Sequence, residues 1–255
     1  MGVLSEILAQ KQRELASLRG RALPAPPARR AVSLGRADNA GKLCLITEIK
    51  LRAPSAGALS RVLSVAERAA AYERAGASML SVLCDSHFFD GDYQHLVEAR
   101  AATRLPLLCK EFVIDECQLD AARAFGADAV LLIVRCVAPA RVSELVAAAR
   151  ARDLLPFVEV ATEEELALAL AAGAELVGVN ARDLDTLVMD AARAALVLAA
   201  IPEHVVRVHL SGLSEAEDVR RIRQSGADAA LVGEALMRQD DPEPLLRSLV
   251  EAAHR

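Results

Sequence analysis

Tryptophan is absent from the 255 residues, and five Phe and two Tyr bring the aromatic content to only 3%. With 53% of the chain hydrophobic, a sizeable core has to be built from Ala, Leu and Val. Cysteine is sparse: Cys44, Cys84, Cys109, Cys117 and Cys136 are odd in number and form no CxxC pair. That pattern excludes a disulfide framework and predicts a reduced, cytoplasmic protein with incidental thiols. The five histidines are scattered without HExxH-type spacing, so no metal site is expected. Basic runs are missing too, and 30 basic against 35 acidic residues give a net charge of −5. This sets nucleic acid aside as a partner. No apolar segment has membrane-spanning length, and the opening MGVLSEILAQKQRELASLRG is charged and amphipathic, unlike a signal peptide. Its serine stands at position 5 rather than 6, a poor match for myristoylation.

What the chain does contain is a repeat. Gly-Ala recurs at Gly76, Gly126, Gly173 and Gly226, in steps of 50, 47 and 53 residues. Each follows a helical stretch and precedes an apolar run: MLSVL, AVLLI, LVGV and AALVG. Glycine just past a helix end takes the left-handed conformation cheaply. Between these runs lie others introduced by Pro106, Pro156 and Pro202, and the first run is LCLITEIK. The pattern predicts strands near 43–50, 79–84, 106–110, 128–133, 156–160, 176–180, 205–210 and 229–233. Helices are expected at 64–76, 92–103, 117–125, 139–151, 162–172, 190–199, 214–225 and 242–252. Strict alternation implies parallel strands with right-handed crossovers. Eight such units read as a single (β/α)8 TIM barrel over 41–255, the common form at this length. A doubly wound open sheet is the runner-up, but no GxGxxG follows the first strand. Residues 1–40 form an N-terminal extension, with a helix over 3–18 and the linker RALPAPPARR.

Active sites of such barrels lie at the C-terminal ends of the strands. Glu48 and Lys50 end the first strand two residues apart, so both face the barrel mouth. Later strands end in Asp85, Lys110, Glu159, Asn180 with Arg182, Ser211-Gly212 and Gly233-Glu234. One charge at a strand end usually marks a solvated rim, and Asp183 reads equally well as a turn residue. Two Lys and two Glu inside one cup are another matter, since ionised groups are too costly to desolvate unless paired or used. A structural ion-pair network at the barrel mouth is the competing reading. The last two strands each run through glycine into a helix start, where free N–H groups and the helix dipole favour an anion such as phosphate. Tight βα turns with no ligand are the alternative there.

With these residues assembled, the chain resembles the indole-3-glycerol phosphate synthase family of tryptophan biosynthesis. EIKLRAPSAG is similar to the family's EIK-x-x-SPS-x-G, SVLCDSHFFDG to SVLTD…FF-x-G, and PLLCKEFVIDECQ to PVLRKDFIID-x-YQ. VEVATEEEL, GVNARDLDTL, SGLSEAEDV and ALVGEALM also have family counterparts, in order and at the right spacing, and VLSEILAQKQREL looks like the family's N-terminal helix. The resemblance implies closure of an indole ring. The substrate would be 1-(2-carboxyphenylamino)-1-deoxyribulose 5-phosphate and the products indole-3-glycerol phosphate, CO2 and water, without cofactor or metal. It implies Lys110 as the general acid, Glu159 as the general base, and Lys50 as a lysine that holds the substrate carboxylate or phosphate. Glu48 would tune the lysines, and Asn180 and Arg182 would position the substrate. Pro54, Phe89, Phe112, Leu131 and Leu184 would form the slot for the aromatic ring. Ser55, Ser211, Gly212, Gly233 and Glu234 would complete the binding site. A monomer is slightly favoured, and the chain ends soon after its last helix, as an unfused synthase would.

Five positions depart from the family pattern. Leu210 stands where the strand-7 glutamate of E-S-G is usual, after His209. Ala53, Ala56 and Ala181 replace a serine, a basic residue and an asparagine, and KEF replaces KDF at Glu111. Leu210 is expected to point into the mouth as a binding residue, and three of the five changes are expected to face the substrate. Two further readings follow from them: a diverged paralogue acting on a modified indole-type phosphate, or a non-catalytic phosphate-binding barrel.

Overall fold

The structure is a computed structural model that describes residues 2–35, 41–54 and 57–254. Eight parallel strands close into a barrel. They are β1 (Cys44–Ile49), β2 (Met79–Leu83), β3 (Leu107–Lys110), β4 (Ala129–Ile133), β5 (Leu155–Val160), β6 (Leu176–Asn180), β7 (Val206–Leu210) and β8 (Ala229–Val232). Each strand pairs with its neighbours in chain order, and β1 closes the ring against β8 through Cys44 to Thr47 alongside Ala229 to Val232. All eight expected strands are present within two residues of their expected ends. The outer helices are α2 (Val65–Ala75), α3 (Gln94–Ala102), α4 (Glu116–Ala124), α5 (Pro139–Ala151), α6 (Glu163–Ala171), α7 (Ala191–Ala199), α8 (Ala216–Gln224) and α9 (Glu243–His254). They follow α1 (Val3–Arg19). None of the described helices is long and apolar enough to cross a membrane.

Local chemistry explains where these elements start and stop. Ser64 and Glu67 form a reciprocal capping box at the head of α2, and Asp115 with Gln118 does the same for α4. The four repeated glycines, Gly76, Gly126, Gly173 and Gly226, take φ values of 99°, 100°, 76° and 87°, which turn the chain from helix back to strand. Short pieces that carry no periodic signal add to the barrel. A two-stranded ribbon pairs Arg52–Ala53 with Gly57–Ala58. Single helical turns occupy Ser86–Phe89 and Glu234–Met237. The first of these turns exists because the Asp85 carboxylate accepts from the Phe88 and Phe89 amides at 2.6 and 3.2 Å.

The core has two layers. Between sheet and helices lies a large cluster of Ala, Leu and Val, as the scarcity of aromatics requires. Inside the barrel is a smaller cluster that includes Ile46, Met79, Leu108, Leu131, Phe157, Val208, Leu210 and Leu231. Leu4 and Ile7 of α1 belong to this inner cluster, so the N-terminal helix is docked on the barrel. Polar contacts fix it there. The Leu4 amide donates to Asp185 at 3.3 Å, and Arg19 pairs with Asp115 at 2.6 Å. Lys11, only 2% exposed, reaches Asp85 at 2.6 Å and Glu111 at 3.1 Å. Burial alone would depress this ammonium, but the Glu111 and Asp85 carboxylates outweigh it and hold its pKa above the ordinary lysine value. The Glu111 carboxyl is also pushed up, to about 7, because burial and the like charge of Asp85 outweigh the opposing charge of Lys11.

Beneath the mouth, Phe157 and Leu210 meet over Gly178, where a Cβ would lie 2.5 Å from Phe157 Cε2 and 2.8 Å from Leu210 Cδ1. Gly178→Ala should therefore cost about 1–3 kcal/mol, the usual range for overpacking a filled core. Denaturant midpoints of the two proteins measure this, and coincident unfolding curves would contradict the packing described.

Candidate active site

The eight strand ends surround a cavity of about 170 Å³. Its wall includes Glu48, Lys50, Pro54, Phe89, Lys110, Phe112, Leu131, Glu159, Asn180, Arg182, Leu184, Ser211, Gly212, Gly233 and Glu234. Fifteen of the seventeen residues expected from the sequence thus converge on one place. Ser55, like Ala56, lies outside the described residues.

Leu210 lies elsewhere than the sequence predicts. Its side chain does point into the barrel, but it is 1% exposed and packed in the inner apolar layer, so it does not line the cavity. Without a charge to hold at the surface, it sinks onto Gly178 and Phe157. The expectation that three departures face the substrate is likewise modified. Ala53 and Glu111 reach the cavity wall, whereas Ala181 is buried in the outer layer between sheet and helices. Sequence reading missed Val3 and Ile7 of α1, which also line the cavity. Their apolar spacing in the first helical turns marks a packing face but not what that face covers. Leu83, Ile133, Leu187, Leu213 and Leu231 were missed as well.

The charged centre is built from β1 and β3. Glu48 is 3% exposed, with Oε1 2.7 Å from Lys50 Nζ and Oε2 3.4 Å from Lys110 Nζ. A Cβ at position 233 would sit 2.7 Å from that Oε1, so glycine leaves the carboxylate its place. Burial opposes ionisation of Glu48, but Lys50 and Lys110 outweigh it and bring its pKa down to about 2. Burial likewise opposes the charge on Lys110, and Glu48 followed by Glu159 holds its pKa above the ordinary lysine value. Lys110 is therefore a fully charged acid next to a carboxylate that does not accept its proton.

Across the cavity, Glu159 is 3% exposed and accepts a hydrogen bond from Asn180 Nδ2 at 2.8 Å. The Arg182 amide donates to Asn180 Oδ1 at 2.9 Å, and its guanidinium donates to the Leu187 carbonyl at 3.3 Å. Asp183 sits outside this group. It accepts from the Asp185 and Thr186 amides and pairs with Arg135 at 3.2 Å, so it is the turn residue of its loop. The Phe89 and Phe112 rings lie 6.0 Å apart at 30°, forming one side of an apolar slot. Opposite, Ser211 and Gly212 have φ values of 73° and 86°, and Gly233 precedes the turn of helix that starts at Glu234. The Glu234 carboxylate is taken up by Arg238 at 2.7 Å. Among the described residues, no group of three or more His, Cys, Asp or Glu could hold a metal ion.

Fold and site together define a (β/α)8-barrel protein with a cluster of lysines and glutamates at the carboxyl ends of its strands. Solved structures share the barrel alone. They include a 3-hexulose-6-phosphate synthase, with TM-score 0.66 and 17% identity over 82% of this chain and 99% of that one. Thiamine phosphate pyrophosphorylase from Pyrococcus furiosus gives 0.63 and 17% over 84% and 96%. The chain belongs to the indole-3-glycerol phosphate synthase family, whose sequence model matches residues 3–249. Among its relatives, the indole-3-glycerol phosphate synthase of Kineococcus radiotolerans is 41% identical, over 99% of this chain and 96% of the relative. Indole-3-glycerol phosphate synthase 2 of Streptomyces coelicolor is 42% identical, over 98% and 99%.

Replacing Glu48 by Gln removes the first charge that raises Lys110 and leaves the burial that depresses it. The alkaline limb of the pH–rate profile should then move to lower pH. An unmoved limb in Glu48→Gln would show that Glu48 does not set the acidity of Lys110.

Proposed function

We propose that the chain closes the indole ring of 1-(2-carboxyphenylamino)-1-deoxyribulose 5-phosphate, giving indole-3-glycerol phosphate, CO2 and water. The observation that carries this reading is the Lys110 ammonium. It is held charged by Glu48 over an apolar slot, with Glu159 facing it across the cavity. Ring closure needs that arrangement. The carboxylate-bearing ring carbon attacks the ketone carbon, a C–C bond forms, and the ketone oxygen must take up a proton. Lys110 supplies it. The C–C bond to the carboxylate then breaks, CO2 departs, and its electron pair returns to the ring. The new hydroxyl leaves as water after a second protonation, from Lys110 or Lys50, and Glu159 removes the remaining proton to make the ring aromatic. A positioned acid or base typically contributes 10²–10⁴-fold.

The other residues serve as binding groups. Phe89, Phe112, Pro54, Leu131 and Leu184 hold the aromatic ring by its apolar faces. The amides of the Ser211–Gly212 and Gly233–Glu234 turns face the phosphate end. Lys50 offers its charge to the substrate carboxylate when the substrate arrives. Arg182, anchored to the Leu187 carbonyl, borders the ribulose. The reading is of a cytoplasmic enzyme that acts on a phosphorylated small molecule and works as a monomer.

Turnover followed by indole fluorescence tests the reading. The wild-type chain should convert the substrate, and Lys110→Met should lose at least ~100-fold in kcat. An inert wild-type chain, or a Lys110→Met variant as fast as wild type, would contradict it.

A further inference from the structure

His209 stands at the end of β7, one residue before Leu210 and two before Ser211. Alternation along the strand sends Leu210 into the barrel and His209 outward, where it is 9% exposed beneath α8. Its Nε2 lies 3.0 Å from the carbonyl oxygen of Ser211. A carbonyl only accepts, so Nε2 carries the proton. Burial, with Arg221 of α8 adding to it, lowers the imidazole pKa below its ordinary value, while the Ser211 carbonyl and Asp218 act in the opposite direction. The ring is therefore neutral at physiological pH, with Nε2–H as the donor tautomer.

The residue it holds is strained. Ser211 has φ of 73°, in the left-handed region that side chains other than glycine rarely occupy. From that conformation Ser211 Oγ donates to Asn180 Oδ1 at 3.0 Å. Asn180 Oδ1 also accepts from the Arg182 amide, so the amide group is oriented with its Nδ2 toward Glu159, 2.8 Å away. A continuous chain of hydrogen bonds thus runs from the outward face of β7 to the base of the site. We propose that His209 is a positioning residue for turnover, which holds Ser211 in its left-handed turn so that Ser211 fixes Asn180 and, through it, Glu159. This rests on the ring-closure reading above.

A double-mutant cycle tests it, with kcat and thermal midpoint measured for wild type, His209→Leu, Ser211→Ala, the double variant and His209→Gln. Leucine fills the buried site without a donor. Glutamine carries its Nε2 the same number of bonds from Cα as histidine does. His209→Leu and Ser211→Ala should each lower kcat roughly tenfold, the scale expected of a misplaced catalytic group. The double variant should be no slower than either single one, because both changes break the same chain. His209→Gln should recover kcat to within about threefold of wild type. The inference is overturned if His209→Leu leaves kcat unchanged, if the two losses multiply to roughly 100-fold, or if glutamine is as slow as leucine. Should His209→Leu fail to fold, His209→Asn takes its place, being polar yet too short to reach the carbonyl. A wild-type chain that does not turn over the substrate overturns the ring-closure reading itself, and this inference with it. Active wild type with multiplicative losses overturns only the role of His209.

Discussion

One buried carboxylate, Glu48, organises the mouth of the barrel. It sits between two ammonium groups, Lys50 just past β1 at 2.7 Å and Lys110 at the end of β3 at 3.4 Å. An ionised group in that position is affordable only because both partners are present. In return it keeps Lys110 charged and pairs with both ammonium groups at the mouth. Its own low pKa has a consequence for the fold. A carboxylate depressed from 4.5 to about 2 contributes stability that is complete above about pH 4.5 and is lost as the pH falls toward 2. Gly233 belongs to the same arrangement, since any side chain there would displace the carboxylate.

A second buried ionic cluster joins the N-terminal helix to the site. Lys11 enters between Asp85, which caps the helical turn carrying Phe89, and Glu111, the residue between Lys110 and Phe112. One ammonium therefore ties α1 to both segments that supply the aromatic slot. Glu111, with its pKa near 7, binds a proton in the folded chain at pH values where the unfolded chain has released it. Its contribution to stability therefore falls as the pH rises from about 4.5 to about 7, opposite in sign to that of Glu48. The longer Glu side chain of the KEF segment lets the carboxylate reach both Lys11 and the Phe112 amide.

The barrel was legible because each of its units repeats the same physical signals: an apolar run, a helix face and a glycine at the turn. The site was legible because polar residues interrupt apolar runs at their C-terminal ends, as at Lys110, Glu159 and Asn180. Other features left no such mark. Nothing local in MGVLSEILAQ says that Val3 and Ile7 cover a cavity, since a docked amphipathic helix and a free one share one pattern. The Ser86–Phe89 turn depends on a cap supplied by a strand end, and the ribbon strands Arg52–Ala53 and Gly57–Ala58 are too short to show alternation. Leu210 misled for a different reason. Position along a strand fixes which way a side chain points, but not its depth, and an apolar side chain beside Gly178 settles below the wall that a charged one would have joined. The role of His209 is hidden by the same alternation, because it faces away from the cavity and acts through the backbone of its neighbour.

The most direct measurement is a carbon-13 titration of the glutamate side-chain carboxyls in the folded protein, with Glu48 assigned by its absence from the Glu48→Gln spectrum. One glutamate should stay ionised far below the ordinary value of 4.5, with its midpoint near 2. A Glu48 resonance that titrates near 4.5 would mean that the two lysines do not hold this carboxylate, and the charge arrangement from which the site has been derived would not exist.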